Sequence, residues 1–248
     1  MKTITSILGR SAGGISIQPF IGKSESGEKF YLKPCGSRAD GLIAEFIGSS
    51  LARDMGLPVA DFEIVSIPEK LAKHSLRPDF AELSSGPAFA SRALGNDYID
   101  LTPDQLSNLD EQQLAELYLF DHWIQNSDRI LGEQAGNPNA LCSVVTGKLA
   151  IIDHDSAFAP EFSPTEHQNI HFAAAQKNWW QYSERQSGWT ERISSILKSS
   201  LSAYWEKIPE EWLQNQFGDP RVTTSAAAIE ETLKLPLLDK ENFWSHYQ

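Results

Sequence analysis

Apolar and polar residues alternate in several short segments near the start of the chain, which predicts a strand-rich region. Ile15–Ile21 alternates at its beginning, Ser24–Gly27 has the composition of a hairpin turn, and Lys29–Pro34 is predicted as the returning strand. Asp61–Ile67 and Pro87–Leu94 are predicted as further strands of the same region.

Apolar spacing becomes helical between Ala39 and Met55, and Gly56 is placed to end this helix. Asp110–Gln125 is predicted as a second helix, followed by a polar loop and two short strands around Thr146-Gly147. Beyond about Pro160 the chain is predicted to be mostly helical. The six tryptophans of that part are interpreted as packing residues of a helical layer.

Composition excludes several classes of protein. The formal charge of -12 over 248 residues argues against binding to nucleic acid through phosphate neutralisation. The only cysteines, Cys35 and Cys142, suggest a reducing compartment, and we expect a cytoplasmic protein. The first residues lack the apolar stretch of a signal peptide, and no run of 18 apolar residues predicts a membrane span.

Five polar side chains stand at the ends of predicted strands, on a helix or in a loop: Lys33, Glu45, Asp128, Asn139 and Asp153. Phosphoryl transfer needs a lysine on the nucleotide phosphates, a glutamate that orients it, and an aspartate that accepts the proton of the attacking hydroxyl. An asparagine and a second aspartate can hold Mg²⁺, which prefers oxygen ligands. The order of these residues predicts a kinase that uses ATP and Mg²⁺.

Three segments, HWIQNSDR, NPNAL and LAIIDHDSAF, resemble the catalytic region of the HipA-like kinases, in particular the small members of that family. They are also similar to the catalytic segment of phosphatidylinositol 4-kinase type II. Upstream, EKFYLKP and the following helix match the family's nucleotide-binding strand and helix. The resemblance implies an α+β, bilobal protein-kinase-like fold of the HipA or phosphatidylinositol 3/4-kinase type. The N-terminal lobe would span residues 1–94, and a helical C-terminal lobe would span 95–248.

The resemblance assigns roles residue by residue. Lys33 would bind the phosphates of ATP with Glu45 as its partner, Asp128 would be the catalytic aspartate, and Asn139 and Asp153 would hold the metal.

The nucleotide would meet two further parts of the chain. The glycine-rich segment from Gly9, with Ser11, Gly13 and Gly14, would cover the phosphates. Arg92, where the connection between the lobes begins, would also lie at the nucleotide.

The resemblance also implies partners. The acceptor would be a serine or threonine hydroxyl of a protein, in a toxin–antitoxin setting. An antitoxin or companion chain would supply the N-terminal subdomain that larger members carry, because the glycine segment here begins at residue 9.

Several alternatives stay open from the sequence. Asn137 is a rival metal ligand because the spacing from Asp128 is longer than usual, and the roles of His154 and Asp155 are undetermined. Glu45 could pair with Arg53 on its own helix. At the level of function, the alternatives are a catalytically inactive nucleotide-binding scaffold, a phosphoinositide-type lipid kinase, and a metal-dependent phosphohydrolase built on Asp121-His122 and His154-Asp155. The net charge disfavours an anionic bilayer as the surface that a lipid kinase would need.

Overall fold

A strand-rich barrel opens the chain. The computed structural model describes residues 1–11, 18–73, 80, 82–132, 136–215 and 224–247. The first strands within these ranges are β1 (Lys2–Arg10), β2 (Phe20–Ser24), β3 (Lys29–Lys33), β4 (Phe62–Ile67) and β5 (Gly86–Arg92). They close in the order β1-β2-β3-β5-β4. β1 and β4 pair in parallel, and the other neighbours are antiparallel.

Side-chain alternation gives this barrel its own core. Phe30 and Leu32 on β3 point inward and pack with Ile4, Phe20 and Val65 from neighbouring strands. The other residues of β3, which are Lys29, Tyr31 and Lys33, therefore point outward, because successive side chains of a strand face opposite sides. The predicted strand Lys29–Pro34 agrees with β3, whereas the predicted strand Ile15–Ile21 overlaps β2 only at Phe20 and Ile21, and residues 15–17 lie outside the described residues. Strand β1 was not predicted.

Helix α1 (Ala39–Asp54) crosses between the barrel and the rest of the chain, and α2 (Glu69–Lys73) follows β4. The bounds of α1 agree with the predicted helix, and Gly56 lies just beyond it with a left-handed backbone, φ 76°. The residues from Ala39 to Ala52 are buried on every side. This helix therefore lacks the exposed polar face of a surface helix, because other elements cover it all round.

The middle of the chain forms a second, smaller sheet beside two helices. Its elements in chain order are β6 (Tyr98–Asp100), α3 (Pro103–Leu106), α4 (Glu111–Trp123), β7 (Ile130–Leu131), β8 (Gly136–Asn137), β9 (Ala140–Ser143) and β10 (Leu149–Ile151). The strands β10, β9 and β6 pair in that order, and β7 pairs with β8. Thr102 and Gln105 form a reciprocal cap at the start of α3, and Asp110 caps α4.

The remainder is helical. Its elements are α5 (Pro164–Ile170), a 3₁₀-helix (Ala174–Gln181), α6 (Ser183–Ser199), α7 (Leu201–Trp205), α8 (Glu210–Gln214), α9 (Ala226–Leu238) and α10 (Lys240–Ser245). Trp180, Trp189, Trp212 and Trp244 are buried in the large core, which agrees with their interpretation as packing residues. None of the described helices is both long enough and apolar enough to cross a bilayer.

The large core joins α1 to the C-terminal half. Leu42, Ile43 and Phe46 of α1 belong to the same cluster as Leu117 and Phe120 of α4. The amide of Ala60 donates to the carbonyl of Ile151 at 3.2 Å, which ties the segment after α1 to β10. The division into lobes at residue 94 stays a prediction.

Candidate active site

Three carboxylates converge on the ammonium group of Lys33 at the end of β3. The Nζ atom lies 2.6 Å from Oε2 of Glu45, 2.5 Å from Oδ1 of Asp153 and 2.7 Å from Oδ2 of Asp155. An ammonium has three N–H donors, so these three contacts can use all of them. We refer to Glu45, Asp153 and Asp155 as the acidic cluster.

Glu45 is the buried member of the acidic cluster, with 2% of its side chain exposed. Burial alone raises its pKa, but the Lys33 ammonium and the side chain of His154 lower the pKa to about 2. The backbone amide of His154 also donates to Oε1 of Glu45 at 3.1 Å. Arg53, which the sequence left as an alternative partner of Glu45, instead contacts Asp54 at 3.9 Å and lies over the ring of Phe62. The structure therefore pairs Glu45 with Lys33.

Lys33 is held in its charged form. Burial alone lowers its pKa, but the carboxylates of Asp153, Glu45 and Asp155 together raise it well above the usual value. The acidic cluster and Lys33 carry three negative charges against one positive charge. A region with this charge balance favours binding of a further cation.

Asp128 lies in the loop after α4, where two asparagines donate to it. Nδ2 of Asn139 is 3.0 Å from Oδ2 of Asp128 and 2.8 Å from its backbone oxygen. Nδ2 of Asn137 is 3.0 Å from the same Oδ2. Partial burial and the nearby Asp153 and Asp155 raise the pKa of Asp128, although the two amides act in the opposite direction.

Asn139 and Asp153 lie side by side at the ends of β9 and β10. The amide of Ile152 donates to the carbonyl of Asn139 at 3.0 Å, so the residue after Ile152 adjoins Asn139. Both residues have left-handed backbones, with φ of 43° for Asn139 and 60° for Asp153. Asn and Asp tolerate this region better than most residues. The hairpin between the two strands thus brings the predicted metal ligands together.

The backbone around Asp155 is fixed from the other side by Arg38. Nη2 of Arg38 donates to the carbonyl of Asp155 at 3.0 Å, and the hydroxyl of Ser156 lies 3.2 Å from Oδ1. His154 between the two aspartates turns into the core, where its Nδ1 is 3.2 Å from the hydroxyl of Ser49. His154 is therefore a buried residue that contacts the acidic cluster only at Glu45, where its Nδ1 lies 3.9 Å from Oε1.

The glycine-rich segment is only partly described. Gly9 and Arg10 end β1, and the amide of Ser11 donates to the carbonyl of Pro19 at 2.9 Å, which continues the pairing toward β2. Gly13 and Gly14 lie outside the described residues.

A cavity of about 350 Å³ opens beside Lys33, with Phe20, Leu32, Arg38, Asp155 and Ser156 in its wall.

Arg92 is not brought to the acidic cluster. Its guanidinium lies 3.0 Å from Glu28 and 3.9 Å from Asp61. It lines a different surface cavity of about 300 Å³, with Arg53 and Phe62. On β5, Arg92 is three residues beyond Phe89, the partner of Lys33, which separates them by about 10 Å along the strand.

The sequence did not single out the buried pair Asp121 and Arg129, which flank the catalytic loop. Neither side chain is exposed, and Nε of Arg129 lies 2.8 Å from Oδ2 of Asp121. The available signal was the carboxylate of Asp121 inside the apolar run of α4, since a buried charge needs a partner. Asp121, which the phosphohydrolase alternative groups with His122, therefore contacts Arg129 and His171.

Comparisons with known proteins match the chain to one family model and to several solved structures, two of which are described here. A family model described as HipA-like kinase matches residues 4–247. No curated protein matches the chain. The crystal structure of the golgi casein kinase is similar over 100% of this chain and 73% of its own, with 11% identity and a TM-score of 0.53. That of the Helicobacter pylori proinflammatory kinase CtkA is similar over 99% of this chain and 95% of its own, with 12% identity and a TM-score of 0.45. The predicted kinase-like α+β fold is confirmed.

Proposed function

This chain belongs to the HipA-like kinase family, and we propose that it transfers the γ-phosphoryl group of ATP to a serine or threonine hydroxyl of a protein. The observation that carries the proposal is the contact of Lys33 with both Glu45 and Asp153, which come from α1 and from the end of β10. A lysine held by a helical glutamate, beside an aspartate that can hold Mg²⁺, is the arrangement that phosphoryl transfer uses.

Lys33 would bind the phosphates of ATP. Its N–H groups are directed at the acidic cluster, so nucleotide binding exchanges at least one carboxylate contact for a phosphate oxygen. Glu45 is the contact that we expect to persist, because it is buried and keeps the ammonium in place. The segment that follows Gly9 and Ser11 would cover the phosphates.

The donor atoms at the site fit a divalent cation such as Mg²⁺. Asn139 directs its Nδ2 at Asp128, which leaves its Oδ1 oxygen as a ligand atom. Oxygens of Glu45, Asp153 and Asp155 lie within 4.8 Å of one another. Asn139 and Asp153 would hold the cation, and Asp155 would be an additional ligand because it shares Lys33 with Asp153. When bound, the cation neutralises phosphate charge and orients the phosphates.

Asp128 would act as the base. Its Oδ2 accepts from two asparagine amides, and among the described residues no group donates to its Oδ1. The acceptor hydroxyl oxygen forms a bond to the γ-phosphorus, and its proton passes to Oδ1 of Asp128. The bond from the γ-phosphorus to the bridging oxygen breaks, and ADP leaves.

A protein acceptor is preferred to a lipid because the net charge of -12 opposes an anionic bilayer. The toxin–antitoxin setting, an antitoxin partner and a cytoplasmic location belong to the same proposal and rest on the family resemblance.

The proposal is tested by incubating the wild-type chain and Asp128→Asn with Mg²⁺ and γ-labelled ATP, together with a protein extract or with phosphatidylinositol vesicles. We expect label on serine or threonine with the wild type alone. Label in lipid would contradict the protein acceptor. Nucleotide binding with no label in either arm would favour the inactive scaffold, and equal label with both proteins would reveal a contaminating kinase.

A further inference from the structure

A buried guanidinium connects the catalytic loop to the turns that carry the proposed cation ligands. Arg129 directly follows Asp128, and neither Arg129 nor its partner Asp121 has an exposed side chain. Replacing a buried ion pair by apolar residues is often neutral or stabilising, so stability alone is a weak explanation for this pair. The contacts of Arg129 indicate another role.

Nη1 of Arg129 donates to two backbone carbonyls. One belongs to Asn139, and the other belongs to Ile152, at 3.1 Å, directly before Asp153. Both of the residues that would ligate the cation have left-handed backbones. Such conformations persist only where the surroundings fix them, and one guanidinium fixes the carbonyls at both positions.

Asp121 connects the same guanidinium to the catalytic loop. Its Oδ1 accepts from Nδ2 of Asn126 at 2.9 Å, and the Oδ1 of Asn126 accepts from the amide of Asp128 at 3.2 Å. Its Oδ2 lies 3.0 Å from Nε2 of His171. Nδ1 of His171 accepts from the amide of Ala173, so the ring proton is on Nε2 and is donated to Asp121.

We propose that Arg129, held by Asp121, is a positioning residue that sets the distance between Asp128 and the cation ligands Asn139 and Asp153. The proposal rests on the proposed function, because it assumes that these two residues hold a cation. Lysine cannot replace arginine in this role, since a single ammonium nitrogen cannot contact the carboxylate and both carbonyls in the fixed planar geometry of a guanidinium.

The test compares Arg129→Lys with Arg192→Lys in the full chain. Arg192 is a matched control because it also joins a carboxylate, that of Glu116, to a backbone carbonyl, that of Met55, but between α6, α4 and the end of α1. Each protein is titrated with Mn²⁺ in the presence of a non-hydrolysable ATP analogue and followed by electron paramagnetic resonance. Thermal unfolding, kcat and KM for ATP are measured in parallel.

Arg129→Lys should weaken Mn²⁺ binding by roughly 10- to 100-fold, as loss of groups that orient metal ligands does. It should lower kcat by about 100-fold through misplacement of Asp128, with a much smaller change in KM for ATP. Arg192→Lys should change the unfolding temperature alone. A lower unfolding temperature with unchanged Mn²⁺ affinity and kcat for Arg129→Lys would overturn the proposal.

A second variant covers the case in which Arg129→Lys does not fold. His171→Leu removes one donor to Asp121 and should change Mn²⁺ affinity and kcat in the same direction to a smaller extent, whereas His171→Gln, which retains a donor, should restore both. No difference between these two variants would also contradict the proposal.

The wild-type protein separates this proposal from the proposed function. If it binds Mn²⁺ and the analogue but transfers no phosphate, the proposed function alone is contradicted. If it binds no Mn²⁺, both are overturned.

Discussion

The side-chain amide of Asn139 donates to both the backbone oxygen and the Oδ2 oxygen of Asp128, at 2.8 and 3.0 Å. Asn137 makes only the contact to Oδ2, at 3.0 Å. Asn139 also adjoins Asp153 through the hydrogen bond from Ile152 to its carbonyl. The two asparagines that the sequence left as rivals therefore share one partner but differ in their connection to the acidic cluster.

We predict that Asn139→Ala lowers phosphotransfer by at least about 100-fold, because it removes a proposed cation ligand and two hydrogen bonds to Asp128. Asn137→Ala should reduce phosphotransfer far less, since it removes only one hydrogen bond to Asp128. The measurement is kcat/KM for ATP at saturating Mg²⁺, together with Mn²⁺ affinity. If Asn137→Ala is the more damaging variant in both, Asn137 is the ligand.

The pH dependence of the reaction should reflect the raised pKa of Asp128. Above its pKa, Asp128 is ionised and can accept a proton, so activity is lost as the pH falls through that pKa. In the pH profile of kcat/KM, the midpoint of the acid limb should therefore lie above 3.8, which is the ordinary pKa of an aspartate. Asn137→Ala should move this midpoint to still higher pH, because it removes an amide donor that stabilises the ionised carboxylate of Asp128.

Asn108→Ala is the control for this profile. Asn108 donates to the carbonyl of Asp104 on exposed α3, so its removal should leave the acid limb in place. A limb at or below 3.8 in the wild type would contradict the assignment of Asp128 as the base.

Gly48→Ala should disturb the site without touching a proposed ligand. A Cβ atom at Gly48 would lie 2.8 Å from the Cβ atom of His154, closer than real contacts allow. We expect a loss of about 1–3 kcal/mol in the free energy of unfolding, together with lower phosphotransfer, because His154 lies between Asp153 and Asp155.

Gly188→Ala is the matched control, because a Cβ atom at this exposed helical position would meet nothing within 4 Å. It should stabilise the protein by roughly 0.5–1 kcal/mol and leave activity unchanged. Denaturant unfolding and the transfer assay check both variants. Equal behaviour of the two would show that α1 and His154 are not tightly packed.

Stability toward acid should depend on Glu45. Its pKa is lowered from 4.5 in the unfolded chain to about 2 in the folded protein, so the folded state favours the ionised form. The resulting stability is present above pH 4.5 and is lost as the pH falls toward 2. The unfolded state therefore binds more protons in this window. The free energy of unfolding at a series of pH values should show this uptake, and Glu45→Gln should reduce it.

The candidate site was predictable to a large extent because its residues stand at positions that local patterns reveal. A lysine at a strand end, a glutamate on an apolar helix and an aspartate after a buried strand are each recognisable from periodicity and sequence order. The family resemblance then assigned them roles. The structure brings Lys33, Glu45 and Asp153 into contact, and it brings Asn139 and Asn137 to Asp128.

Other features depended on contacts between residues far apart in the chain. Asp155 contacts Lys33, which is 122 residues away in the sequence. Arg129 donates to the carbonyl of Ile152, which is 23 residues away. Arg92, assigned to the nucleotide from its place near the end of β5, pairs with Glu28 and Asp61, and its contact with the nucleotide stays a prediction.

The sequence by itself determined the local elements, the order of the chemical groups and the kind of reaction they suit, because alternation, capping and residue type act over a few residues. Only the tertiary structure decided that α1 is covered on both sides. It also decided that three carboxylates share one ammonium and that Arg129 donates to the backbone carbonyls of both Asn139 and Ile152. These outcomes depend on how strands and helices pack, and that packing balances burial against charge over the whole chain rather than within any one segment.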